Sequence, residues 1–186
     1  VVAKQNGKTI FIMSASFNKK MTGVNHQIPM PNLSQPEGLK STLDQISEIE
    51  KSNPKMHHRL KSVLPRAFDI RPVEAFLPKY SKNCKPFDNI WFTTSDKLNH
   101  SDIAMHHQLL AYASDYNLLS TATLPHVEEL QNKSMFYASL DHALWFHRDF
   151  RIDDWLLYAM DSPSASNSRG FSLSLIHISE PTRRTP

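Results

Sequence analysis

The stretch Ser101-Asp102-Ile103-Ala104-Met105-His106-His107-Gln108-Leu109-Leu110-Ala111-Tyr112-Ala113-Ser114-Asp115-Tyr116-Asn117-Leu118-Leu119 reads as one strong helix between residues 100 and 119. Asn99 or Ser101 can cap its first free amides, and Asp102 suits the positive end of the helix dipole. Ile103, His107, Leu110 and Ser114 share a face, while Leu109, Ala111 and Ala113 put apolar atoms on the others. A helix that is apolar most of the way round is expected to be buried. On either side the pattern changes to strands. Phe68-Asp69-Ile70-Arg71-Pro72-Val73 alternates, and Ile90-Trp91-Phe92-Thr93-Thr94 is rich in aromatic and β-branched residues. Met135 to Phe146 and Trp155 to Met160 are expected as two more strands, the second running into small residues at 161–168. The expected layout is one buried helix wrapped by an antiparallel sheet, an α+β fold.

Upstream, residues 1–17 read as a β-hairpin turning at Asn6-Gly7, which needs further strands to be stable in water. Prolines at 29, 31 and 36 mark a linker. Leu39, Leu43, Ile46 and Ile49 then recur at helical spacing until Asn53-Pro54. A second short helix carries Met56, Leu60 and Leu64 and stops at Pro65.

Composition removes several function classes. The 186 residues are 40% hydrophobic and include ten Phe, three Trp and five Tyr, which excludes a disordered chain. Four glycines stand against twelve prolines. No dinucleotide or P-loop glycine motif, and no G-x-S-x-G elbow, can be drawn from Gly7, Gly23, Gly38 and Gly170. Net charge is +3, from 21 basic and 18 acidic residues, with no run of five like charges, so no nucleic-acid arm is expected. Cys84 is the single cysteine and can form no internal disulfide, which suits a reducing or peroxisome-like compartment. No apolar stretch approaches the roughly 18–20 residues of a transmembrane helix. The chain starts at Val1 rather than Met, as a piece of a longer protein would.

The chemistry candidates are few. His106 and His107 are adjacent and point to different helix faces, His142 and His147 are five apart, and no second cysteine exists, so no metal site is expected. Serines at 162–168 lack a neighbouring base. Asp115 is sharper. It sits at the end of the apolar helix, where the dipole disfavours a carboxylate and burial would cost several kcal/mol without hydrogen bonds. It is either a functional carboxylate or a solvated turn former. Ser139, two residues before Asp141, is a weaker candidate. Pattern alone names no reaction.

A specific resemblance does. Ser139-Leu140-Asp141-His142-Ala143-Leu144-Trp145-Phe146-His147-Arg148-Asp149-Phe150, with Trp155-Leu156-Leu157-Tyr158 and the run 162–171, resembles the signature of the acyl-CoA thioesterase II family. This is the double-hotdog family of the bacterial TesB type and the peroxisomal type of animals. Gly7-Lys8 with Ile10-Phe11, Ile70-Arg71-Pro72-Val73, Tyr112 with Ser114-Asp115, and Leu124-Pro125-His126 fit the family's order, so that the likeness spans residues 1–171. It implies a double hotdog, incomplete at both ends. It also implies hydrolysis of fatty acyl-CoA thioesters to fatty acid and CoA without metal or organic cofactor. In the family an Asp, a Ser or Thr, and a Gln hold and activate a water. The first two fall on Asp115 and Ser139, and Asp115 is then expected to be a buried, hydrogen-bonded carboxylate.

The family's Gln lies after Arg169-Gly170-Phe171 and has no counterpart here, and Asp149 stands where the family usually has Pro. The resemblance divides the chain into the end of a first hotdog (1–35), a helical linker (36–66) and a second hotdog lacking its last strands (67–171). Residues 172–186 match nothing in the family and are expected to be a non-native tail. The chain as written is therefore expected to be inactive and aggregation-prone at its sheet edges. The competing reading is a non-catalytic acyl- or CoA-binding module. Expected partners are a fatty acyl-CoA substrate and a second copy through hotdog sheets, with no nucleic acid and no membrane span. The compartment is peroxisomal for an animal-type protein and cytoplasmic otherwise, with no targeting signal in this chain.

Overall fold

The computed structural model describes residues 1–75, 81–98, 102–131 and 133–178. It divides into two compact units, residues 1–31 and 32–186.

In the first unit, β1 (Val2–Gln5) pairs antiparallel with β2 (Lys8–Ile12). Asn6 and Gly7 both take positive φ, 50° and 76°, the left-handed pair that matches strand twist in a two-residue hairpin. The pairing slips by one residue between Ala3 and Lys4. No third strand joins this pair among the described residues. Ile10, Phe11 and Ile12 are exposed.

The second unit is built on a four-stranded antiparallel sheet in chain order: β3 (Phe68–Pro72), β4 (Phe87–Thr94), β5 (Leu156–Ser166) and β6 (Arg169–Ile178). Register decides which side chains share a face. Ile70 opposes Phe92, Ile90 opposes Tyr158, and Phe92 opposes Leu156. These residues form the core with Leu110 and Ala113, and burying each large side chain contributes roughly 1.5–3 kcal/mol. Trp91 and Leu157, on the opposite face, are buried as well. That face meets the segment after residue 31: the Trp91 indole donates to the Ser34 carbonyl at 2.9 Å. Arg71 donates to the Pro36 carbonyl at 2.7 Å and lies over the Trp155 ring.

Local chemistry sets the helix ends. In α1 (Thr42–Glu48), Ser41 caps the Asp44 amide at 3.0 Å. In α2 (Pro54–Val63), Asn53 caps Met56 at 3.1 Å, and Pro54 fills a first-turn position that has no need of an amide. The central helix α3 runs Ile103–Ala113 and is capped by Asp102, which accepts from the Ala104 amide at 2.9 Å. Asn99 and Ser101, the caps expected from sequence, lie outside the described residues. A turn at 114–117 ends α3. Asn117, at φ 64°, then starts α4 (Leu118–Thr123), which leads through a 3-10 turn (Leu124–His126) into α5 (Val127–Leu130).

Several expectations change. The stretch 100–119 is two helices rather than one. Moreover, α3 buries one face, through His106, Leu110 and Ala113, and leaves Ile103, Met105 and Tyr112 exposed. The sheet meets α3 from one side only, so its outer apolar side chains find no wall. Met135 to Phe146 is not a strand: it has no regular secondary structure and no partner strand among the described residues. The small-residue run 161–168 is the end of β5 and a tight turn at Asn167 and Ser168 (φ 50° and 56°). Its register shift spans Ser162 and Pro163, where a residue without an amide hydrogen is tolerated. Residues 172–178, set apart in the sequence reading, form most of β6. Residues 179–186 lie outside the described residues.

Candidate active site

Asp115 and Ser139 meet in space. The turn after α3 presents Asp115, and the irregular segment from 133 to 155 returns Ser139 to it. The Ser139 hydroxyl lies 3.2 Å from one carboxylate oxygen of Asp115 and 3.3 Å from the other, so its single proton is shared across both. The expectation of a buried carboxylate does not hold in this chain: the Asp115 side chain is 61% exposed. Helix α3 ends at Ala113, so the turn carries Asp115 clear of the core that holds Ala113 and Ser114. Solvent and the Ser139 hydroxyl offset the unfavourable end of the dipole there.

Two more side chains complete the cluster. His142 brings Nδ1 to 3.9 Å from Asp115 Oδ1, and its Nε2 lies 2.9 Å from Ser114 Oγ. Ser114 is buried, its hydroxyl donates to the Ala111 carbonyl at 2.9 Å, and its own carbonyl accepts from the Tyr158 hydroxyl. Tyr112 and Tyr116 share a hydrogen bond of 3.2 Å beside Asp115. Burial first, then the Tyr112 hydroxyl and the Asp115 charge, push the Tyr116 hydroxyl up to about 12. Burial, with the Asp115 charge in support and the Ser174 hydrogen bond opposing, likewise puts Tyr158 at about 12. Both phenols are therefore neutral at ordinary pH. His142 and Ser114 lie in the motifs read from the sequence but are given no site role there. Their partnership joins residues 28 apart, and no local spacing rule reads that.

The arrangement pairs an accepting carboxylate with a hydroxyl at an open surface, which can hold and orient a water. Among the described residues no group of three or more His, Cys, Asp or Glu is placed to hold a metal ion. No helix among them is long and apolar enough to cross a membrane.

Residues 75–178 match the family described as acyl-CoA thioesterase. Human acyl-coenzyme A thioesterase 8 is 36% identical over 177 residues, covering 91% of this chain and 54% of its own length. The mouse protein is 37% identical over 179 residues with the same coverage. Acyl-CoA thioesterase 2 of Haemophilus influenzae is 32% identical over 172 residues, covering 92% of this chain and 59% of its own. The crystal structure of an acyl-CoA thioesterase II, TesB2, from Mycobacterium marinum superposes with a TM-score of 0.60 at 32% identity, covering 84% of this chain and 52% of that one. The α+β sheet-and-helix layout is thus the thioesterase II fold, with its sheet left open. The chain spans about half the length of the relatives it matches.

Proposed function

Because the chain belongs to the acyl-CoA thioesterase family, we propose that it carries part of the active site of a fatty acyl-CoA hydrolase, with Asp115 and Ser139 as two of the residues that hold the attacking water. The observation that supports this reading most is the Ser139 hydroxyl lying within 3.3 Å of both oxygens of Asp115, a residue 24 positions away in sequence. Asp115 accepts a proton from the water as its oxygen attacks the thioester carbonyl, and Ser139 fixes the direction of approach. The C–S bond then breaks with its electron pair on sulfur, leaving fatty acid and CoA thiol. An amide side chain from residues beyond this chain's match supplies the third contact.

Identity to the mammalian relatives, 36–37%, against 32% to the bacterial one, favours the animal-type branch and with it a peroxisomal role in fatty acid metabolism. The test is thiol release from palmitoyl-CoA by the full-length gene product. Asp115→Asn is expected to lower kcat about 100-fold or more, and Ser139→Ala about 10- to 100-fold, in line with general acid–base contributions. The 186-residue chain alone is expected to turn over little or nothing. Thiol release indifferent to Asp115→Asn overturns the proposal, and tight binding of a non-hydrolysable acyl-CoA by a full-length protein without turnover replaces it with the binding-module reading.

A further inference from the structure

Resting on that hydrolase reading, we propose that His142 is a positioning residue for Asp115 and the onward acceptor of the proton that Asp115 takes from the water. Three observations carry it. His142 is anchored from behind: its Nε2 lies 2.9 Å from Ser114 Oγ. With the Ser114 hydroxyl proton on the Ala111 carbonyl, 2.9 Å away, its oxygen meets the ring as an acceptor. In that arrangement the imidazole carries its hydrogen on Nε2 and leaves the Nδ1 lone pair free. That lone pair is turned to the site, 3.9 Å from the same Asp115 oxygen that lies 3.2 Å from Ser139. Finally, the anchor is rigid. Ser114 is buried, and its carbonyl is held by Tyr158, a residue 1% exposed in the core.

The chemistry needs such a group. A carboxylate is a weak base, with an ordinary pKa near 3.9, whereas imidazole sits near 6.5. A proton left on Asp115 would block the next turnover or return to the attacking oxygen. Passed to Nδ1, it gives an imidazolium next to a restored carboxylate. The balance is simple. One O–H bond of water breaks, its proton travels through Asp115 to His142, and the oxygen bonds to the acyl carbon. The C–S bond breaks with its electron pair on sulfur, and the sulfur takes the proton back as a thiol. Among the described residues, titratable groups near the pair include Tyr112, Tyr116, Tyr158 and the sequence neighbour Asp141. Tyr116 and Tyr158 stay neutral through the range in which imidazole titrates.

The test uses the full-length gene product with palmitoyl-CoA. His142→Gln is expected to lower kcat at least tenfold and to leave KM within about twofold. A His142→Gln protein with wild-type kcat overturns the inference while Asp115→Asn still abolishes turnover. If Asp115→Asn is without effect, the hydrolase reading and this inference fall together. Ring nitrogen NMR of the wild-type chain gives a readout that needs no variant to fold. Neutral His142 protonated at Nε2 supports the inference, and protonation at Nδ1 overturns it.

Discussion

Asp153 shows how much of one side chain's role depends on context that its neighbours in sequence do not reveal. Asp153 and Asp154 are adjacent in sequence, yet Asp154 is exposed and Asp153 is 3% exposed. Burial alone would push its carboxyl up. The Arg151 guanidinium at 2.7 Å and the Leu98 amide at 3.1 Å, both on Oδ2, outweigh that and hold it below the usual carboxylate range. Its other oxygen has no partner among the described residues. A carboxyl with a depressed folded-state pKa contributes stability that is fully present above its unfolded value, near 3.9, and is lost as pH falls through the folded value. Asp153→Asn should therefore lower stability by roughly 1–3 kcal/mol at neutral pH. It should also flatten the loss of stability below about pH 4. Urea melts of both proteins from pH 7 to pH 3 measure this, and parallel curves would show that Asp153 is not the group titrating.

At the scale of elements, the sequence was most legible where a local rule was sufficient. Asn6-Gly7, the Asn53-Pro54 boundary and the alternation of Phe68 to Val73 each mark a feature whose cause lies within four or five residues, and the structure has all three. It was least legible at Met135 to Phe146. Aromatic residues there satisfy strand propensity, but a strand also has to pair with a neighbour, and this segment pairs with none of the described strands. Within the site the family signature brought Asp115 and Ser139 forward, whereas His142 stayed hidden because its anchor, Ser114, belongs to another element. The contact between α4 and the β5–β6 hairpin was equally invisible. At Gly170 a Cβ would stand 2.7 Å from the Ala122 Cβ, and a methyl on a packed helix cannot swing aside. Gly170→Ala is expected to cost about 1–3 kcal/mol through overpacking. Ala122→Gly in the same chain should recover part of that, despite the roughly 1 kcal/mol helix penalty of glycine. Thermal melts of the two single variants and the double variant form the cycle, and strictly additive losses would rule out the clash as the cause.

For the second unit, taken as a whole, the consequence of an open sheet is exposed apolar surface. Phe136 is 92% exposed, Leu140 78% and Trp145 71%, all in the segment that runs past Asp115 without regular structure. Large exposed apolar side chains gathered in one segment are the raw material of the patches that other chains cover on stable proteins. β3 ends the sheet on one side with no strand beyond it among the described residues, which leaves one row of its amides and carbonyls open for pairing. The 186-residue chain is accordingly expected to self-associate at micromolar concentration and to bind a hydrophobic dye while its circular dichroism stays native-like. Leu140→Ser with Trp145→Ser should shift sedimentation toward the monomer and reduce dye binding, because both side chains are solvent-facing and neither belongs to the buried core. If the double variant sediments as the parent does, association proceeds through the β3 edge instead. Charged substitution at Asp69 or Arg71 would not separate the two surfaces, since that ion pair also holds the Pro36 carbonyl on the far face of the sheet. The paired serine variant is the cleaner probe, because it alters the exposed segment while leaving the sheet and its register intact.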